Sequence, residues 1–379
     1  MVKKVKRISI FLFSIMILNM CTITNVEAVS KKKMYINARA AVALDANTKQ
    51  VLYGKNSESI IPMASTTKIM TSLVALKYGN LDEKIIISKN ASKIRGSKVG
   101  YKEGEGVSLK ELLYGLMLKS GNDAAIAISE GIAGSVEKFV ALMNEYAVSI
   151  GACNTHFESP HGLDSDNHYC TAYELALITS KAKEIPLFNQ IVSCKSIDKS
   201  TSGFTRSYRN INKILWQIPG ANGVKTGYTG NAGKCLVTSV KLDNSEIVIV
   251  ILNSNTRWKE TRKIYDFVKS NYGFVKIASK GQIMDTLKID EKSKVDLCSS
   301  KDIIVPVKKG TNYYKKVIKP RNCIKDSLVK GEQIGSLVVC NDNKETLYKT
   351  SLVCKDNLIV KPHIKRFRFF DKIKEKFSK

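Results

Sequence analysis

Apolar residues recur along this chain in three different rhythms. From about Asn37 short apolar runs are set between turns: Ala40–Leu44, a turn at Asp45-Ala46-Asn47, then Gln50–Tyr53, which predicts two strands. Ile69, Met70, Leu73, Val74 and Leu76 cover more than one helical face, so a buried helix is predicted from about Ser65, stopping at Gly79-Asn80. Val107–Ala133 predicts helices interrupted at Ser120-Gly121-Asn122, and helical spacing continues through Val136–Ile150 and Thr171–Ala182. Ile214–Leu252 returns to a strand-like pattern. Its last six residues, Ile247–Leu252, are apolar at every position, which predicts a central strand buried on both faces. A charged helix over about Arg257–Ser270 closes this part, and strands leading into helices imply a sheet packed on helices.

After Tyr272-Gly273 the second rhythm begins. Ile303–Val307, Leu337–Cys340 and Leu347–Val353 alternate with turn clusters such as Lys319-Pro320-Arg321-Asn322, predicting a small all-β module of roughly 80 residues. The third rhythm fills the tail, where Ile364, Phe367, Phe370, Ile373 and Phe377 oppose Lys365, Arg368, Lys372, Lys376 and Lys379. A cationic helix with aromatic anchors is suited to lie in a membrane interface.

Composition adds one large departure from the ordinary. The 379 residues are 44% hydrophobic and 25% charged, yet the net charge is +27, which calls for an anionic environment: nucleic acid, a membrane surface or acidic wall polymer. The N-terminus selects among these. Lys3, Lys4, Lys6 and Arg7 precede the apolar run Ile8–Leu18, and Val26-Glu27-Ala28 offers small residues for cleavage, the layout of a secretory signal peptide. Export argues against nucleic acid as partner. Nine cysteines, scattered and without a C-x-x-C pair, do not form a disulfide scaffold, and four histidines without ligand-like spacing argue against zinc. The organisation that follows is a signal peptide over 1–28, a catalytic domain over 29–273, a β domain over 274–355 and an anchoring helix over 356–379.

The chemistry centres on Pro62-Met63-Ala64-Ser65-Thr66-Thr67-Lys68. A hydroxyl and an amine three residues apart in a first helical turn share one side, beside unpaired N–H groups suited to a developing oxyanion. Ser65 is then the candidate nucleophile and Lys68 its proton acceptor, provided burial keeps the amine neutral. S-x-x-K alone is a weak signal, because it also occurs at Ser30, Ser135, Ser180, Ser196 and Ser327. Two companions single out Ser65. Ser120-Gly121-Asn122 ends an apolar helix and can project a hydroxyl and an amide into a cleft, unlike Ser88-Lys89-Asn90 or the polar Ser165-Asp166-Asn167. Lys225-Thr226-Gly227 ends a strand-like segment and suits an edge strand that grips a peptide's terminal carboxylate, with Gly227 admitting close backbone approach.

S-T-T-K, S-G-N and K-T-G in this order resemble the penicillin-recognising serine enzymes. The surroundings, Leu113–Ala125 and Gly223–Thr229, together with His161-Gly162-Leu163, are similar to the low-molecular-mass D-alanyl-D-alanine carboxypeptidases among them. The resemblance implies an α/β (α+β) fold, with an antiparallel sheet flanked by helices and an all-helical subdomain. It implies removal of the terminal D-alanine from peptidoglycan stem peptides during wall maturation, acylation by β-lactams and no cofactor. It implies Ser65 as acyl-enzyme, Lys68 as base and Ser120 as relay to the leaving amine. Asn122 would hold the substrate amide, Lys225 and Thr226 the carboxylate, and the N–H groups of Ser65 and Tyr228 the oxyanion. Location outside the cytoplasmic membrane, attached through the tail helix, follows too. Relatives carry arginine in an N-R-N segment where this chain has Asn210-Ile211-Asn212, which leaves Arg206 and Arg209 as candidates for the cation beside Lys225. The rivals are a β-lactamase, against which the absence of a Glu-x-x-Leu-Asn element speaks, and a non-catalytic wall-binding protein.

Overall fold

The structure is a computed structural model that describes residues 34–201, 203–289, 293–319 and 327–359. The proposed signal peptide and the tail beyond Ile359 lie outside the described residues; Leu358–Ile359, expected at the start of the anchoring helix, instead form a short strand paired with Ser327–Leu328, so the β domain runs further than expected. The first unit is built on an antiparallel sheet of β1 (Ala40–Asp45), β2 (Val51–Lys55), β3 (Ala221–Thr229), β4 (Gly233–Leu242) and β5 (Ser245–Leu252). Their order is β2-β1-β5-β4-β3. The apolar run predicted to be central is central. With a side-chain period of two, Val248, Val250 and Leu252 join the large helical core while Ile247, Ile249 and Ile251 are equally buried on the other face.

Each face has its helices. On the core side lie α1 (Lys68–Tyr78), α2 (Leu109–Leu118), α3 (Asn122–Ala133), α4 (Val136–Ser149), α5 (Ala172–Ala182) and α6 (Pro186–Ser193). The helix α1 is buried on all sides except its last turn and touches all five of the others, as its uninterrupted apolar surface requires. The other face is covered by α7 (Arg257–Asn271), through Ile264, Tyr265 and Val268. Capping is orderly: Ser108, Ser135 and Thr171 accept N–H bonds at the starts of α2, α4 and α5. Thus Ser135, which begins another S-x-x-K, is a helix cap whose partner is the Lys138 N–H. Ser88 is likewise the cap of a short helix, Lys89–Lys93.

A second, all-β domain follows. Strands β6 (Tyr272–Ala278) and β9 (Ile303–Lys308) pair with each other. The strands β7 (Ile283–Lys288), β8 (Lys294–Ser299), β10 (Tyr313–Ile318), β11 (Gln333–Asn341) and β12 (Thr346–Cys354) form a sheet ordered β7-β8-β12-β11-β10. Ile277, Val305 and Val307 of the pair share one apolar cluster with Leu297, Leu337, Val339 and Leu352 of the sheet, so the two layers close on each other. Among the described residues no helix is long and apolar enough to cross a membrane, and the described cysteines are free thiols.

Two local expectations need correction. Ile214–Gln217 is a short helical turn ahead of β3 and not part of the strand pattern, since a brief apolar run does not distinguish the two. The α-helix after Ser65 begins only at Lys68, and Ala64–Thr67 winds as a tighter 3₁₀ turn.

Candidate active site

The 3₁₀ turn that carries Ser65 is made by its own hydroxyls. Thr66 Oγ1 donates to Met63 O at 2.5 Å and Thr67 Oγ1 to Ala64 O at 2.8 Å, while Ala64 takes a left-handed φ of 50°. A glycine supports this turn from below. At Gly162 (φ 82°) a Cβ would stand 2.1 Å from Ala64 O, so the backbone of the His161-Gly162-Leu163 stretch can pass only without a side chain. His168 fixes it from the side. Its Nδ1 accepts the Glu158 N–H at 3.0 Å, so in the neutral ring Nε2 carries the hydrogen and donates to Thr67 Oγ1 at 2.7 Å. Burial, chiefly, holds the His168 pKa down at about 4.

Lys68 has no exposed surface, and its Nζ lies 2.9 Å from Ser65 Oγ, 2.8 Å from Asn122 Oδ1 and 2.7 Å from His161 O. Burial first, then the positive charge of Lys225, holds its pKa well below that of an ordinary lysine, and the opposing Asp123 carboxylate does not offset them. That carboxylate is itself held by the N–H groups of Val99, Gly100 and Tyr101.

Asn122 opens α3 and is 2% exposed; its Nδ2 donates to Arg95 O at 2.7 Å, which turns Oδ1 toward Lys68. Ser120, two residues earlier, is 5% exposed and sits at a left-handed φ of 60° between α2 and α3. The third wall is β3, an edge of the sheet whose outer side faces the Ser65 turn. A Cβ on Gly227 would lie 3.1 Å from both Ser65 N and Ala64 Cβ, so glycine sets the closeness of strand and nucleophile. Lys225 is 1% exposed and donates to Thr226 O at 2.9 Å; Thr226 is buried, and the Tyr228 side chain is exposed. Burial, reinforced by the Arg257 guanidinium, lowers the Lys225 pKa to about 7.

Segments far apart in sequence therefore meet in one cleft that offers a hydroxyl, a desolvated amine, an amide and a strand with a buried cation. Comparison with known proteins places this arrangement. The D-alanyl-D-alanine carboxypeptidase family profile (Peptidase_S11) matches residues 25–256, and the profile of the penicillin-binding protein 5 C-terminal domain matches residues 272–358. The chain belongs to the D-alanyl-D-alanine carboxypeptidase family. It is 35% identical to D-alanyl-D-alanine carboxypeptidase DacF of Bacillus subtilis, over 85% of this chain and 86% of that protein. Penicillin-binding protein 5 of Haemophilus influenzae superposes with a TM-score of 0.74 at 28% identity, covering 86% of this chain and 98% of the other. The K15 DD-transpeptidase of Streptomyces, solved as a serine-to-alanine mutant, covers 62% of this chain and 98% of its own, with a TM-score of 0.58 and 32% identity.

Within this carboxypeptidase fold the cation beside Lys225 is neither of the two arginines expected. Arg206 is paired with Glu105 and lies over the Tyr101 ring, while Arg209 is exposed on a two-residue strand. The neighbour is Arg257, at the start of α7, which donates from Nη1 to Gly227 O at 2.7 Å and Cys235 O at 3.0 Å and keeps a buried Nε without a protein partner. Its position 30 residues past Gly227, in a chain with 61 lysines and arginines, gave sequence reasoning nothing to select it by. His168 was missed for a related reason: its bond to Thr67 spans 101 residues and matches no motif.

Proposed function

We propose that the protein is a serine D-alanyl-D-alanine carboxypeptidase that trims the terminal D-alanine from peptidoglycan stem peptides and is acylated by penicillin at the same serine. The observation that carries this reading is the Ser65 hydroxyl in hydrogen-bond contact with a fully buried lysine amine, 2.9 Å away. Ser65 Oγ attacks the penultimate D-alanine carbonyl while Lys68 takes its proton. The backbone N–H groups of Ser65 and Tyr228 hold the oxyanion, and Asn122 holds the substrate amide. Ser120 passes a proton to the amine as the amide bond breaks. Water then splits the Ser65 ester, adding hydroxide to the acyl group and returning the proton to the serine. Lys225, Thr226 and Arg257 bind the terminal carboxylate, and Gly227 lets the peptide lie close along β3.

The same reading includes the chain's ends. Residues 1–28 would be removed on export, 29–273 form the catalytic domain, the β domain runs from 274 through the Leu358–Ile359 strand, and the cationic tail beyond it lies as a helix in the outer face of the cytoplasmic membrane. The catalytic test is release of D-alanine from a pentapeptide ending in D-Ala-D-Ala by the mature protein and by Ser65→Ala. Release by the first alone supports the mechanism, whereas release by both or by neither overturns it. The anchor is tested by truncation after Ile359, beyond the last strand of the β domain, which should leave catalysis intact and free the protein from membranes; continued sedimentation with membranes refutes it.

A further inference from the structure

Glu111 is a buried acidic side chain that the reaction above does not use. It lies in the first turn of α2 and has no exposed surface. Ser108 and Glu111 have the spacing of a capping box, in which the glutamate would reach back to the serine N–H. Its carboxylate turns to a distant segment instead. Oε1 accepts the hydroxyls of Tyr208 at 2.6 Å and Thr205 at 2.8 Å, and Oε2 accepts the Thr205 N–H at 2.9 Å. Among the described residues no lysine or arginine forms an ion pair with it. A carboxylate buried among neutral donors is costly unless each donor stays in place, so the geometry around it is exacting.

The hydrogen bonds continue toward the cleft. Tyr208 Oη stands 2.9 Å from Tyr101 Oη, and both tyrosines are buried. Burial raises both phenols above the ordinary tyrosine range, so each keeps its hydrogen. The single hydroxyl hydrogen of Tyr208 goes to Glu111, which leaves Tyr101 to donate to Tyr208. The Arg206 guanidinium, paired with Glu105, covers the Tyr101 ring with its Cζ 4.4 Å from the centre.

Tyr101 ends segment 95–101, which is neither helix nor strand and frames the S-G-N corner. Arg95 O accepts Asn122 Nδ2 at 2.7 Å, and Ser97 O accepts the Asn122 N–H at 2.8 Å. The N–H groups of Val99, Gly100 and Tyr101 hold the Asp123 carboxylate. At Gly96 (φ 88°) a Cβ would stand 2.7 Å from Asn122 Nδ2, so the frame touches that amide directly. Asn122 in turn aims Oδ1 at Lys68 Nζ, 2.8 Å away.

We infer that Glu111 is a positioning residue for acylation: through Tyr208 and Tyr101 it holds segment 95–101 in the shape that aims Asn122 at Lys68. This rests on the carboxypeptidase reading above. Glu111 touches neither substrate nor reacting atoms, and its effect on the rate passes through Asn122.

The test measures acylation of Ser65 by a fluorescent penicillin in the full chain, for Glu111→Gln, Tyr208→Phe and Tyr101→Phe, each alone and combined with Asn122→Ala. Each single change should slow acylation roughly tenfold or more, as expected when a reacting group is misplaced from a distance. Once residue 122 is alanine, the same change should cost less than about twofold more. The Asn122 side-chain amide resonances, assigned by their loss in Asn122→Ala, should also shift in Tyr101→Phe without any ligand. Acylation within about twofold of wild type in both tyrosine variants overturns the inference. So does an undiminished loss in the Asn122→Ala background, or an Asn122 amide that does not move. Tyr208→Phe and Tyr101→Phe remove one oxygen each and decide the matter should Glu111→Gln fail to fold. A wild type that is not labelled at Ser65 would instead overturn the carboxypeptidase reading.

Discussion

Lys68 Nζ is 2.9 Å from Ser65 Oγ and is surrounded by three oxygen atoms and no carboxylate. A neutral amine satisfies this set completely: two N–H groups donate to Asn122 Oδ1 and His161 O, and the lone pair is left to accept the Ser65 proton. An ammonium ion would also find three acceptors, but in a site without solvent and beside the Lys225 charge. Geometry and electrostatics thus favour the protonation state that a general base requires.

It follows that Lys68→Arg should be nearly as damaging as Lys68→Ala, although it keeps a cation. Guanidinium cannot give up its proton at accessible pH, and its planar fork does not fit the three acceptors. We expect either change to slow acylation of Ser65 by a fluorescent penicillin by about 10²–10⁴-fold, the usual span for a lost general base. A Lys68→Arg variant that labels at the wild-type rate would remove lysine from the mechanism.

Gly162→Ala tests the support under the nucleophile. With Ala64 O only 2.1 Å from the new methyl and φ at 82°, the turn bearing Ser65 must move. The expected result is a large loss of kcat together with a lower melting temperature, by about 1–3 kcal/mol of stability. Gly151→Ala is the control for backbone strain alone: its φ of 87° is similar, but the nearest atom to its Cβ is 3.8 Å away. Equal kinetic loss in both would contradict the packing argument.

How far these features could be read from sequence depended on their range. The central strand Ile247–Leu252, the all-round burial of α1 and the break at Ser120 were legible because periodicity and helix endings are local signals. Ser65, Lys68, Ser120 and Lys225 could be chosen as candidates because each belongs to a short motif. Arg257 and His168 act through contacts spanning 30 and 101 residues, with only an ordinary surface-type residue to mark them. The 3₁₀ turn at Ser65 depends on Thr66 and Thr67 folding back onto carbonyls, a choice made by packing against Gly162. Ile214–Gln217 is too short for its period to be measured.

The histidine that fixes this turn should appear in acid stability. The folded-state pKa of His168, about 4, lies below its ordinary value of 6.5, so between these values the unfolded chain binds the extra proton. Stability must then rise with pH across that window and fall as the medium is acidified from 6.5 toward 4. Protonation at Nδ1 would also oppose the Glu158 N–H that it now accepts. His168→Gln, which can still donate to Thr67 but does not titrate, should flatten the melting-temperature profile over that range. An unchanged slope would assign the acid sensitivity elsewhere, with His161, lowered to about 3, as the first alternative.

Lys225 titrates in the opposite part of the scale, and its consequences separate binding from chemistry. Its pKa of about 7 means that in the free enzyme the amine loses its charge as pH rises above neutrality, while Arg257 keeps its own. A substrate carboxylate favours the charged form of Lys225, so the bound state holds the proton to higher pH than the free state does. The alkaline limb should therefore appear in kcat/KM near pH 7 and be shifted upward or absent in kcat. Lys225→Arg, whose charge is permanent, should remove the limb even if it lowers the rate. The stability sign is fixed by the same shift: from about 7 up to the ordinary lysine value of 10.5 the unfolded chain binds more protons at this site, so the Lys225 contribution rises with pH. Lys225→Met should reduce that rise. A kcat/KM that climbs from pH 7 to 9 with unchanged KM would show that the carboxylate does not depend on this lysine, and would leave Arg257 as the group that holds it.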